Sequence, residues 1–269
     1  MRFLVLFLYF LTSSLFASND VEFVVVIPSY NNAKYIEQNL ASVFIQDYPH
    51  WQLIYINDCS TDNTGQLATE LIKKYNFQKR CHVINNLSRC GAMANIFKGA
   101  HLAHPKKVVV LLDGDDELKD SSVLSYIAKV YKDKNVWMTY GNYEAVPNNL
   151  WTNDPCTPIP EEVKANHSYR TSTFIYYPLR TFYAKLFHLI KLEHLQWKGQ
   201  FLPVVSDTGY MIPMLEMASN GHIKYIDKVL YTYHVDNPIN DFRTKLPLME
   251  EISSSLRQIT PYKPLKKLF

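Results

Sequence analysis

The chain has 269 residues, 47% hydrophobic and 14% aromatic, enough to bury a sizeable core, which argues against a disordered segment. Its formal charge of +3 is spread without a run of Lys and Arg, so no nucleic-acid partner is expected. No two of its eight glycines are separated by a single residue, and G-x-x-x-x-G-K does not occur, which argues against dinucleotide enzymes and Walker-type ATPases.

Residues Met1 to Ser18 open with Arg2, continue as the apolar run Phe3 to Leu11, and end in small residues near Ala17 and Ser18. This reads as a secretory signal peptide, or as a signal anchor if it stays uncleaved, and implies an exported or secretory-pathway protein. Thr12, Ser13 and Ser14 interrupt the apolar stretch, which falls short of the ~20 residues a spanning helix needs. Residues 19–269 are expected to form one domain, regular over about 21–140 and more irregular over about 141–269. Cys59, Cys81, Cys90 and Cys156 lack the C-x-x-C spacing of a zinc site; their even number permits disulfides without specifying them. Asn86 and Asn166 head N-glycosylation sequons.

From Val21 short apolar runs alternate with helical periodicity, the pattern of a mostly parallel sheet covered by helices, an α/β fold. Phe23 to Pro28 is a continuous β-branched run, a strand buried on both faces. Ile36, Leu40, Val43 and Phe44 mark a helix, Trp51 to Asn57 a strand, Leu67 to Tyr75 a second helix, and His82 to Ile84 a short strand. Met93, Ile96, Phe97 and Ala100 predict a third helix, and Lys107 to Leu112 the most apolar strand. Ser121 caps a helix through Tyr131, and Val136 to Tyr140 is a further strand. Prolines make Val146 to Pro160 an irregular excursion. Helices over Leu179 to Leu192 and Gly209 to Ala218, a strand over Ile223 to Tyr233, and a charged, proline-punctuated tail complete the expectation.

Three polar strand ends carry the candidate chemistry. Asp113-Gly114-Asp115-Asp116 follows the most apolar strand, and carboxylates this close repel one another unless a cation or a hydrogen-bond network neutralises them. A hard divalent ion, Mn²⁺ or Mg²⁺, meets that need and can hold a diphosphate in turn. An acidic turn that starts the next helix is the structural alternative. Pro28-Ser29-Tyr30-Asn31 and Asn57-Asp58-Cys59-Ser60-Thr61-Asp62 end the first two strands, where each also reads as a turn or helix cap. Ligands of open α/β sheets gather beyond such carboxyl ends, so the three are expected to face one crevice.

Taken together and in order, Val24 to Asn31, Ser42 to Gln46, Ile56 to Thr64 and Leu112 to Asp116 resemble the family 2 glycosyltransferases, which have a GT-A fold with a Rossmann-like sheet. The resemblance covers residues 21 to about 120. It implies an inverting, metal-dependent transfer of a sugar from a nucleotide-sugar donor, UDP-linked, to a glycan, lipid or protein acceptor. The first half then becomes the donor half and the second the acceptor half, with possible membrane association through the leader. Carried across by position, Pro28, Tyr30 and Glu37 would line the nucleotide pocket, Asp58 would accept a hydrogen bond from the base, and Asp113 and Asp115 would serve ribose, diphosphate and metal. The sequence departs from the pattern at Asn57-Asp58-Cys59, where many relatives have Asp-Asp-Gly, but it retains Asp58. Arg89 lies where relatives place an arginine against the nucleotide, a role suited to its bidentate fork. Asp207, ahead of a helix, resembles the position of the family's catalytic base, although a helix cap is the alternative. Arg180 is a candidate for donor-phosphate contact and His234 for metal contact.

Two other readings compete. An apolar strand ending in Asp-x-Asp also opens the aspartyl phosphatases of the haloacid dehalogenase type, in which the first Asp, here Asp113, attacks phosphorus. The leader raises the possibility of an exported GT-A domain that recognises glycans or proteins without turnover.

Overall fold

The computed structural model describes residues 20–147, 156–239 and 245–269; the leader lies outside them. Among these described residues, ten strands and eight α-helices follow in chain order. The first half runs β1 (Phe23–Ser29), α1 (Ile36–Phe44), β2 (Trp51–Asn57), α2 (Thr64–Lys74), β3 (Cys81–Asn85), α3 (Ala92–Leu102), β4 (Val108–Leu111), β5 (Glu117–Leu118) and α4 (Val123–Val130). The second runs β6 (Met138–Val146), α5 (Glu161–Ala165), β7 (Arg180–Tyr183), α6 (Ala184–His188), β8 (Gln196–Trp197), β9 (Gln200–Phe201), α7 (Ser206–Met217), β10 (Ile223–His234) and α8 (Leu246–Arg257). Eight strands form one sheet in the order β3-β2-β1-β4-β7-β6-β10-β5. The first four pair in parallel, and β6 pairs in parallel with β10. β7 is antiparallel to both its neighbours, and β5 is antiparallel to β10.

All seven residues of β1 are buried, as an unbroken apolar run requires. Alternation of side chains divides the core in two. Val24, Val26, Ile54, Ile56, Val109 and Leu111 face one cluster with α3, α6 and α7. Phe23, Val25, Ile27, Leu53, Tyr55 and Val110 face the other, with α1, α2 and α4. Val25 lies level with Leu53 on one side and Val110 on the other; β1 and β2 end together at Ser29 and Asn57, and β4 ends at Leu111, level with Val26.

The expected mostly parallel sheet with helices on both faces is present, and three local expectations are corrected. The helix placed over Leu179 to Leu192 is instead β7 followed by the short α6. Thr181, Phe182 and Tyr183 suit a pleated surface, and buried Thr181 Oγ1 hydrogen-bonds with Tyr131 Oη (3.0 Å) and Thr139 Oγ1 (2.7 Å). The strand ending at Tyr140 continues to Val146, beside β10, and the expected irregular tail contains α8. Among the described residues, no helix is long and apolar enough to cross a membrane, and all four cysteines are free thiols.

Candidate active site

Because β1, β2 and β4 are parallel neighbours, the segments that follow them leave the same edge of the sheet and converge. Pro28, Tyr30, Asp58, Arg89, Asp113 and Asp115 all line one cleft of about 270 Å³ beyond the carboxyl ends of the strands. Gly114 permits this convergence: a Cβ there would lie 2.5 Å from Ser29 Oγ and 2.6 Å from Asn32 Nδ2.

The acidic loop is held from two sides. On α1, buried Asn39 donates from Nδ2 to the carbonyls of Asp113 (2.9 Å) and Asp116 (2.7 Å). From β10 and the turn after it, Tyr231, His234 and Asn237 hold the loop at every third residue. The Tyr231 hydroxyl donates to Asp116 Oδ2 (2.7 Å), accepts from the Asp113 N–H (3.2 Å) and lies 3.4 Å from Asp113 Oδ2. The His234 N–H donates to Asp116 Oδ1 (2.8 Å), and Asn237 Nδ2 donates to Asp115 Oδ2 (2.7 Å). Desolvation by the cleft walls, reinforced by the Asp115 carboxylate, pushes the pKa of Asp113 up to about 6, although its side chain is exposed to the cleft. Burial also raises Asp115, and burial together with Asp115 and Asp113 raises Asp116 well above the carboxylate range. Asp116, wholly buried and bonded through both oxygens, is a structural member of the loop; Asp113 and Asp115 face the cleft.

Asp58 organises the opposite wall. Its Oδ1 accepts from Asn86 Nδ2 and the Cys90 N–H, both at 2.8 Å, and its Oδ2 accepts from the Gly91 N–H at 2.8 Å. Burial opposes its charge, but these donors and Asn95 outweigh that cost and hold its pKa below the ordinary value. Gly91, at φ +87°, gives the loop a turn that side-chain-bearing residues rarely adopt. The carboxylate lines the cleft, where a ligand can meet it. The Arg89 guanidinium stacks 3.8 Å from the centroid of the Tyr30 ring, so those two cleft residues form one cationic, aromatic wall. The side-chain nitrogen of the Asn86 sequon is occupied by Asp58 and by Asn95 Oδ1 (2.8 Å).

The remaining expected site residues lie around this cleft and do not line it. Arg180, at the start of β7, donates from Nε to the Tyr176 carbonyl (2.7 Å) and from Nη2 to Asp207 Oδ2 (3.0 Å). Asp207 is in the first turn of α7, where Oδ1 accepts from the Thr208 N–H (2.8 Å). Arg180 and Asp207 are both near enough to influence the charge of Asp113. The His234 ring is one layer behind the cleft, with Nε2 2.7 Å from Glu117 Oε1. Glu37 is exposed on α1.

Among the described residues, no group of three or more His, Cys, Asp or Glu side chains is arranged to hold a metal unaided. Asp113 and Asp115 do fit a Mn²⁺ or Mg²⁺ ion shared with a diphosphate: both are oxygen donors in the cleft, and each raises the proton affinity of its neighbours for want of a counter-charge. Sequence reasoning missed Asn39, Tyr231 and Asn237, because single amides and a hydroxyl on distant elements form no local motif. The spacing of Tyr231 and Asn237 after the acidic loop becomes meaningful only once β10 pairs with β5.

Residues 24–192 match the family described as Glycosyl transferase family 2. The "Putative teichuronic acid biosynthesis glycosyltransferase TuaG" of Bacillus subtilis (strain 168) is 37% identical over 95 residues, 35% of this chain and 36% of that protein. The "UDP-Glc:alpha-D-GlcNAc-diphosphoundecaprenol beta-1,3-glucosyltransferase WfgD" of Escherichia coli is 30% identical over 125 residues, 46% of this chain and 47% of that protein. The match thus spans less than half the length of either relative. Among solved structures, Staphylococcus aureus TarS 1-349 in complex with UDP-GlcNAc superposes with a TM-score of 0.62 at 16% identity, covering 88% of this chain and 66% of that one. At that identity the likeness establishes the fold, which is the GT-A arrangement.

Proposed function

The chain belongs to glycosyl transferase family 2, and on that premise we propose that it moves a sugar from a UDP-linked donor to the hydroxyl of a glycan, lipid or protein acceptor, with inversion at the anomeric carbon. The observation that carries the reading is the convergence of Asp58, Arg89, Asp113 and Asp115 on one cleft, with Asp207 and Arg180 beside Asp113. The names of TuaG and WfgD, and the UDP-GlcNAc held by TarS, support a nucleotide-sugar donor. Export through the leader remains part of the proposal, with the acceptor met in the secretory pathway or at a membrane.

In this reading Tyr30 and Arg89 flank the nucleobase, and Asp58 accepts a hydrogen bond from the base. Asp113 and Asp115 hold Mn²⁺ or Mg²⁺, which when bound offsets the charge gathering on the departing diphosphate. Asp207 takes the proton of the acceptor hydroxyl as that oxygen attacks from the face opposite the leaving group. Its carboxyl keeps 34% of its side chain exposed, so an acceptor can reach it while Arg180 fixes its direction.

The test is nucleotide release and glycan formation by the purified chain, measured over panels of UDP- and GDP-sugars and acceptors, with Mn²⁺, Mg²⁺ or EDTA. Metal-dependent UDP release with product of inverted configuration by NMR is expected. Silence across the panel with sugars still bound would replace the enzyme by a glycan-binding module. Phosphate release through a trapped phosphoaspartate at Asp113 would replace it by a phosphatase.

A further inference from the structure

We propose that Asn237 is the positioning residue that holds the Asp115 carboxylate ready for the divalent ion, so that a segment beyond the family-matched residues governs metal affinity. The inference rests on the glycosyltransferase reading above and adds to it a residue with no assigned role.

Asn237 is 4% exposed and lines the cleft. Its neighbours fix the direction of its amide. The Ile239 N–H can only donate, and it meets Oδ1 at 3.2 Å; the Asp115 carboxylate accepts, and it meets Nδ2 at 2.7 Å. Nδ2 also lies 3.4 Å from Asn32 Oδ1, on the loop after β1. The backbone carrying Asn237 is tied down on both sides. Before it, the His234 N–H is bonded to Asp116; beside it, Asp236 pairs with Lys34 Nζ (3.2 Å) and accepts from the Tyr35 hydroxyl (3.4 Å).

The chemistry favours an amide here. Asp115 shares its loop with two other carboxylates, and their repulsion would turn an unrestrained side chain toward water and away from a common ion. A neutral N–H donor fixes one oxygen, Oδ2, and leaves the negative charge in place for a cation. A lysine or arginine in its place would neutralise the carboxylate and compete with the metal. Asn237 therefore orients the ligand without discharging it, the supporting arrangement that tunes metal sites generally.

The experiment compares the full chain with Asn237→Leu, similar in size but without a donor, and with Asn237→Ser, which keeps a donor on a shorter arm. Mn²⁺ affinity in the presence of UDP is read by electron paramagnetic resonance of the free ion, UDP affinity in EDTA by calorimetry, and kcat and KM as Mn²⁺ is varied. For Asn237→Leu we expect Mn²⁺ binding weakened at least 10-fold, UDP binding in EDTA unchanged, and kcat recovering as Mn²⁺ is raised. Asn237→Ser should lose less. Mn²⁺ binding by Asn237→Leu equal to wild type, or an equal loss in Asn237→Ser, would overturn the positioning role while leaving the glycosyltransferase reading intact. A wild-type chain that binds UDP indifferently to Mn²⁺ and transfers no sugar would overturn both. Should Asn237→Leu not fold, the comparison of Asn237→Ser with wild type decides alone: an unchanged Mn²⁺ affinity under a lowered Tm marks a merely structural residue.

Discussion

Arg180 Nη2 donates to Asp207 Oδ2 at 3.0 Å, joining the first residue of β7 to the first turn of α7 beside Asp113. The pair gives the candidate base a fixed direction and gives a largely buried guanidinium its counter-charge. Asp207→Asn keeps a single acceptor oxygen, so either Arg180 or the Thr208 N–H loses its partner, and the amide cannot take a proton. We expect turnover to fall by about 100- to 10,000-fold with UDP affinity nearly unchanged, and Tm to fall because the largely buried guanidinium loses its counter-charge. A variant that still transfers sugar at a tenth of the normal rate would remove Asp207 from the mechanism.

The donor wall gives a second expectation. In Asp58→Asn one oxygen can still accept from Cys90 and Asn86, but an NH₂ group then faces the Gly91 N–H. Two opposed donors in a buried site cost about 1–3 kcal/mol. The Arg89–Gly91 turn should open, and KM for the donor should rise at least 10-fold while kcat at saturation changes less. Steady-state kinetics with a lowered Tm would show both effects; an unchanged KM would mean that the turn does not shape the nucleotide pocket.

The first of these two residues was harder to reach from sequence than the second. Asp58 is in a strand-end segment whose neighbours are local, so Phe23 to Pro28, Trp51 to Asn57 and Lys107 to Leu112 were enough to bring Tyr30, Asp58, Asp113 and Asp115 to one crevice. Arg180 was expected on a helix because Leu179, Phe182, Leu186 and Ile190 recur at helical spacing. Pairing of β7 with β4 and β6 outweighed that period, a choice settled by tertiary contact and invisible in a window of ten residues. The resemblance offered His234 for metal contact; that a neighbouring strand supplies Glu117 as its ring's partner depends on β5 lying against β10, which no local window shows.

A histidine pair far from the cleft predicts acid sensitivity. His101 and His188 stack with ring centroids 4.6 Å apart, each bonded to a backbone carbonyl, that of Phe97 and that of Ala100. Burial lowers both pKa values below the ordinary 6.5, and the proximity of His188 to His101, and of His104 and Lys185 to His188, lowers them further. Between the folded and unfolded values the unfolded chain binds more protons, so stability rises with pH there. The contribution is therefore complete above pH 6.5 and is lost as pH falls through the depressed folded values. Urea midpoints should drop between pH 7.5 and 5, and His101→Phe combined with His188→Phe should flatten that dependence. Identical slopes in the two proteins would place the acid-sensitive groups elsewhere.

The far end of α7 offers the sharpest stability test. Arg170 and Glu216, 4% and 1% exposed, form a bidentate pair at 2.8 and 2.7 Å, and Arg170 Nη1 also donates to the Leu256 carbonyl at 2.7 Å. Glu216 Oε2 accepts in addition from the Tyr262 N–H (3.0 Å), so this one carboxylate ties α7 to α8 and to the segment after it. Arg170→Met strands a buried carboxylate and should cost about 3–5 kcal/mol, as breaking such pairs does. Adding Glu216→Leu removes the stranded charge and should restore much of the loss. Recovery stays incomplete because the Leu256 carbonyl and the Tyr262 N–H are left without their partners. Chemical denaturation of both single variants and the double variant measures the coupling. Additive losses would mean that the two charges are stabilised independently of one another.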